Sequence, residues 1–216
     1  MNKFLDLIKE THNGKTIGRT LFNWRIRERT KDLKGIVVDL GSGKNASYKR
    51  YITGKPEKII NIDINPDTNP EIVADLNKTL PLPDGFADAV FLFGVIYILE
   101  NPEEVFKEIR RILKSEGRFL MSTPFIFNEA KEPADYWRFT SSGICKLLQN
   151  AGFNKIEIEP IGERFTAAAY LTSSFFIFWP FKFLLYILAI GLDKLIPGKI
   201  KLKHPTPISY FVTVKK

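Results

Sequence analysis

Short apolar runs and stretches of helical period take turns along most of this chain. Residues 35–40, 57–63, 71–74, 87–93, 118–123, 155–161 and 208–214 are rich in β-branched and aromatic residues and are bounded by Gly, Pro, Asn or Asp. That pattern predicts seven strands. Helices are expected near 46–52, from Asn101 to Gly117 and from Thr140 to Gly152. Asn101 and Thr140 are suited to cap the latter two, Pro102 fits a first turn, and Glu103 and Glu104 favour the positive helix end. Phe106, Ile109 and Leu113 form one buried stripe; Ile144, Leu147, Leu148 and Ala151 form the other. Two more helices are expected at 2–12 and 16–33, the second with Ile17, Leu21 and Trp24 on one face. Strands alternating with helices predict an α/β fold, a doubly wound sheet of seven mostly parallel strands.

One segment breaks the alternation. FFIFWPFKFLLYILAI, 175–190, carries a single charge at Lys182 and seven aromatics between Phe175 and Tyr186. The chain therefore divides into an N-terminal helical lid (1–34), a core (35–161 with 207–216) and a hydrophobic helical insert (162–206). At 16 residues with an internal Pro180, the apolar run is short for a straight membrane-spanning helix. One reading is a bent helix lying in a membrane interface, with Trp179 and Tyr186 at the boundary and Lys194, Lys199, Lys201 and Lys203 near anionic headgroups. The other is a helix pair packed on the domain, or a homodimer formed through 167–198.

Charge narrows the partners. The net +8 sits at the two ends: residues 1–34 carry nine bases and four acids, and 182–216 carry seven and one, while 35–181 carry sixteen and nineteen. This argues against a general nucleic-acid-binding domain and suits ends that face an anionic surface. The lone Cys145 excludes a disulfide framework and reads as a packed thiol, which with the absence of a signal-like run in MNKFLDLIKETH points to the cytoplasm. No metal site is expected.

The chemistry begins at Ile36–Asn45, IVVDLGSGKN. A strand ending in Asp39 runs into Gly41, Ser42 and Gly43, a turn that lets backbone approach a nucleotide-like ligand. Asp63 ends the next strand 24 residues later, one βαβ step, so both carboxylates come to one sheet edge. Gly41–Ala46 also matches G-x-G-x-x-A, the dinucleotide pattern, and a tight turn without a ligand is open as well. Asp39 weighs against pyrophosphate, which it would repel, and tolerates a cationic sulfonium ligand.

Taken together, these residues resemble the class I S-adenosylmethionine-dependent methyltransferases over roughly 35–160 and the terminal strand. Asp39-Leu-Gly41-Ser42-Gly43 is similar to the D-x-G-x-G motif that wraps the methionine end of the cofactor. Asp63, followed by Ile64, stands where the family places the ribose-binding acid. Asp75-Leu76 resembles the segment that meets adenine, and Phe93-Gly94 closes the fourth strand beside it. I-R-R-I-L-K-S-E-G resembles the R-x-L-K-x-G-G turn, and DYWRFTSSGICKLLQNAGF is similar to a subgroup linked to cell-surface glycans or lipids. There are departures. Asn45 replaces a third glycine, Glu116-Gly117 replaces Gly-Gly, and Ile98 stands where many relatives carry the histidine of V-L-E-H-x-x-D-P. The N-P-P-Y signature is absent.

The resemblance implies in-line methyl transfer from S-adenosylmethionine to an acceptor oxygen, or a nitrogen, of a small molecule, lipid or glycan precursor. Tyr97, Tyr136 and Arg138 are the candidates near the acceptor, with an ion pair of Arg138 to Asp135 or Glu132 as the structural reading. His12 and His204 are expected to stand apart from the chemistry. A nicotinamide-dependent oxidoreductase and a cofactor-binding but inactive membrane-associated partner are the alternatives. The expected location is cytoplasmic, free or peripheral on the inner face of the membrane.

Overall fold

The computed structural model describes residues 2–44, 46–130 and 134–216. Seven strands form one sheet: β1 (Ile36–Leu40), β2 (Lys58–Asp63), β3 (Ile72–Val73), β4 (Ala87–Phe93), β5 (Leu113–Pro124), β6 (Lys155–Ile161) and β7 (Ser209–Lys215). Their spatial order is β3-β2-β1-β4-β5-β7-β6. Neighbours are parallel from β3 to β5, and β7 runs antiparallel to both β5 and β6. The returning β7 sets this sheet apart from the all-parallel dinucleotide order.

Helices α1 (Lys3–His12) and α2 (Ile17–Arg29) precede the sheet. The others are α3 (Pro102–Ile112), α4 (Ser141–Asn150), α5 (Arg164–Thr172), α6 (Trp179–Leu195) and α7 (Gly198–Lys203). One sheet face is covered by α3, α4 and the segment 76–82, whose Leu76, Leu80 and Leu82 join Phe106, Ile109 and Leu148. On the other face, Phe22 and Ile26 of α2 and Tyr48 and Tyr51 meet Phe91 and Phe211. A third cluster joins α1, α2, α5 and α6 through Leu7, Trp24, Ala167, Tyr186 and Ala189. A fully buried Phe or Leu stabilises by about 1.5–3 kcal/mol relative to exposure, so the two sheet faces carry the fold.

β4 and β6 have the expected bounds, and Thr140 caps α4 by accepting from the Gly143 amide. Other elements differ. The expected helix at 46–52 is a short 3-10 turn, Ser47–Tyr51. α3 stops at Ile112, not at Gly117, because the fully buried Leu113 turns extended and pairs with Ala87 as the start of β5. Asn101 makes no side-chain cap bond. α2 ends at Arg29 and buries far more than one stripe, since sheet and insert enclose it from two sides. Pro180 occupies the first turn of α6, where its missing N–H costs nothing, so it starts the helix instead of bending it. Cys145 is half-buried on α4 rather than packed in the core. Asn45 and Glu132 lie outside the described residues.

Candidate active site

The C-terminal ends of β1, β2, β4 and β5 share one edge of the parallel sheet, and α2 packs beside the ends of β4 and β5. Gly41 and Gly43 both adopt the left-handed conformation, with φ of 67° and 62°. A Cβ on Gly41 would lie 2.6 Å from Val95 Cγ2, so close packing adds to the conformational demand there. A Cβ on Gly43 would meet nothing within 4 Å, so its Cα borders open space. The Gly43 amide donates to Asp63 Oδ2 at 2.8 Å, and the Asn65 amide donates to Oδ1 at 2.9 Å. Each carboxylate oxygen keeps a lone pair for a further donor. Beside it, Ile64 is 65% exposed, an apolar side chain standing in water at the strand end.

Asp39 is placed differently. It is fully buried, and the Tyr48 hydroxyl donates to its carboxylate, 2.6 Å from either oxygen. Lys49 Nζ lies 3.3 Å from Oδ2 and also donates to Asn61. Burial pushes the Asp39 carboxyl above the ordinary range, against the opposing pull of Tyr48 and Lys49. Burial also raises the Tyr48 phenol, with the Asp39 charge adding to it. Asp39 is thus engaged inside the fold with a side-chain partner on each side, whereas Asp63, 9% exposed, is held among the described residues by backbone amides alone.

Asp75 accepts from the amide and side chain of Asn77, and Leu76 is packed into the core. Among the described residues, no α-helix follows the glycine turn closely enough to hold a pyrophosphate at its N-terminus; the five-residue 3-10 turn is there instead.

Next to this edge lies a cavity of about 410 Å³ between α2 and the ends of β4 and β5. Phe93, Gly94 and Tyr97 line it, together with residues not anticipated from the sequence: Arg19, Phe22, Ser122, Thr123, Phe127 and Tyr170. Arg19 donates to Ser47 Oγ at 2.8 Å and pairs with no carboxylate among the described residues. Burial lowers its pKa, with Tyr48 and Tyr51 opposing. The Thr123 hydroxyl is buried against the cavity with no hydrogen-bond partner. Such an orphan costs about 1–3 kcal/mol unless a ligand or water satisfies it. A ligand that brings an anion and a hydrogen-bonding group therefore fits this chamber.

Residues 38–121 match the family model described as a methyltransferase domain. The matched segment and the fold support a class I S-adenosylmethionine-dependent methyltransferase. Its cofactor is S-adenosylmethionine. The human thiol S-methyltransferase TMT1B is 24% identical, in a match covering 62% of this chain and 69% of that protein. Among solved structures, an S-adenosylmethionine-dependent methyltransferase from Archaeoglobus fulgidus superposes with a TM-score of 0.62 at 18% identity, covering 96% of this chain and 97% of that one. Phosphoethanolamine N-methyltransferase 2 from Haemonchus contortus, in complex with S-adenosyl-L-methionine, gives 0.60 at 17% identity over 90% of this chain and 52% of that one. At these identities the structural likeness speaks for the fold.

The remaining residues of this methyltransferase divide between the cavity and the surface. Tyr97 is half-buried; burial and Asp135 raise its phenol while Arg138 opposes, so the ring is a neutral hydrogen-bonding group. Arg138 forms a bidentate ion pair with Asp135, as the structural reading of the sequence had it, and lies 5.7 Å from the Tyr97 ring centre. Tyr136 is 52% exposed, and neither it nor Arg138 lines the cavity. His12 packs edge-on against Trp179, and His204 is exposed, both away from the chamber.

Proposed function

We propose that this methyltransferase moves the methyl of S-adenosylmethionine to an oxygen or nitrogen of a small molecule, lipid or glycan precursor seated in the cavity beside Gly94. The observation that carries it is the junction of two features at one edge: the Gly43–Asp63 cradle and a chamber that ends at Phe93-Gly94. The cofactor supplies an activated methyl on a good leaving group. Asp63 accepts from the ribose hydroxyls and Ile64 offers an apolar face to the adenine. The Gly41–Gly43 backbone receives the methionine end, Ser42 within it, and Arg19 pairs with its carboxylate. Asp75 and Leu76 flank the adenine through their backbone and the Asp75 edge. Phe93 and Gly94 border the reacting centre, and the Thr123 and Tyr97 hydroxyls orient the acceptor. Arg138 fixes the Tyr97 ring from outside.

Among the described lining residues there is no carboxylate or imidazole to take a proton. The chain then acts chiefly by alignment and exclusion of water, and a protic acceptor gives its proton to solvent. That favours nucleophiles already ionised or bearing a free lone pair. A thiolate is therefore the second reading, supported as well by the name of the human relative. The protein works on the cytoplasmic side in either case. Incubation with methyl-labelled S-adenosylmethionine and a panel of hydroxyl, amine and thiol acceptors tests the assignment. Turnover should rise about tenfold per pH unit up to the pKa of the accepting group and then level off. A plateau set by an enzyme group, the same for every acceptor, would contradict it.

A further inference from the structure

The insert leaves an apolar surface that the fold does not use. α6 packs Tyr186, Ala189 and the buried Asp193 inward. Its opposite stripe, Phe181, Leu184, Leu188 and Leu195, is more than half exposed at every position. The loop before it projects Phe175 and Ile177 at 82% and 93% exposure. Tyr186, expected at an interface, is in fact core, while Trp179 is half-covered by His12. A contiguous apolar surface of this kind marks an interaction site.

Charge identifies the partner. From 164 to 206 the chain carries Arg164 and five lysines against one acid, Asp193. That acid is consumed internally, accepting from Phe165 N and from Thr166 N and Oγ1. Lys199, Lys201 and Lys203 on α7 pair with no acid among the described residues. A second copy paired through this region would bring like charges together, whereas anionic headgroups would neutralise them. At 17 residues α6 is about 26 Å long, and among the described residues no helix is long and apolar enough to cross a membrane. The surface is thus suited to lie on a bilayer.

We propose that the 175–178 loop, the outer stripe of α6 and the lysines of α7 dock this protein on an anionic membrane surface. The docked face is linked to the cavity through α5, which carries Tyr170. Tyr170 lines the cavity, stacks on Phe127 with ring centres 5.8 Å apart, and lies five residues before the exposed Phe175. A docked protein would thus hold the chamber close to the lipid. Resting on the methyl-transfer reading above, this selects acceptors held at a membrane.

Co-sedimentation with vesicles of phosphatidylcholine, alone or mixed with phosphatidylglycerol, tests the docking. The wild type should pellet with the mixed vesicles and be released as salt rises. Replacing Lys199, Lys201 and Lys203 with Gln should weaken partitioning about 100-fold. The pair Ile177→Glu and Phe178→Glu, at exposed sites that spare the core, should abolish it. Calorimetry with S-adenosylhomocysteine should give wild-type binding in both variants, which separates a failed docking face from a failed cofactor site. A wild type that stays in solution with mixed vesicles would overturn the proposal. So would a concentration-dependent dimer dissolved by the Glu pair, which would assign the face to a second copy.

Discussion

The ends of β1 and β2 carry the same side chain one βαβ step apart and use it in opposite ways. Asp39 is enclosed, held by the Tyr48 hydroxyl and Lys49, with its carboxyl pushed up by burial. Asp63 is 9% exposed against 0% for Asp39, takes two backbone amides, and keeps lone pairs for further donors beside Gly43. What separates them is the 3-10 turn at Ser47–Tyr51, whose Tyr48 hydroxyl reaches Asp39 and not Asp63. Identical acids at equivalent strand ends thus divide into a structural anchor and, on the proposed reading, a ligand-facing group.

That division can be broken or sharpened by substitution. The largest effect is expected at Asp63→Ala. It should cost about 2–4 kcal/mol of S-adenosylhomocysteine binding, from two charge-assisted hydrogen bonds, with little change in melting temperature. Calorimetric titration and thermal melts read the two quantities. Tyr48→Phe should do the reverse. It removes the neutral donor to a buried carboxylate and should lower stability by about 1–3 kcal/mol, measured by urea unfolding, while the folded fraction still binds cofactor. Arg19→Gln should weaken cofactor binding by about 1–2 kcal/mol, since one charged contact is lost and the polar reach to Ser47 remains.

The pH dependence of stability sharpens the comparison further. With the folded carboxyl of Asp39 raised above its ordinary 3.8, the folded state holds a proton that the unfolded chain has released. Its contribution to stability is present below 3.8, falls as pH rises through the window up to the folded value, and is flat beyond it. Asp39→Asn removes that fall. Its stability relative to wild type should improve across the window and then stay constant, as unfolding midpoints at stepped pH would reveal. The smallest effects are expected at His12→Ala and His204→Ala, each within about tenfold of wild-type turnover; a thousandfold loss at either would show a missing catalytic group.

Much of the edge was legible in the sequence because it depends on local rules. β4 and β6 are apolar or alternating runs closed by turn residues, and their bounds follow from that. The acids at strand ends and the glycine turn are likewise local. What the sequence withheld is tertiary. Nothing in Asp39 or Asp63 alone says which one Tyr48 will cover. Lys114-Ser-Glu-Gly117 reads as a helix end, yet the pairing of Leu113 with Ala87 draws the chain into β5 four residues earlier. Arg19 is one base among nine at the N-terminus, and only the docking of α2 against the sheet brings it to the cavity. α6 is apolar on every side, so hydropathy could not say that α1 and α5 cover Tyr186 while Leu184 and Leu188 stay in water.

The most direct test of the divided acids is a crystal structure with S-adenosylhomocysteine bound. Both ribose hydroxyls should lie within hydrogen-bond reach of Asp63, with the Tyr48 hydroxyl still on Asp39 and the methionine carboxylate on Arg19. A ribose seated away from Asp63, or an Asp39 carboxylate released from Tyr48 to contact the ligand, would contradict the account.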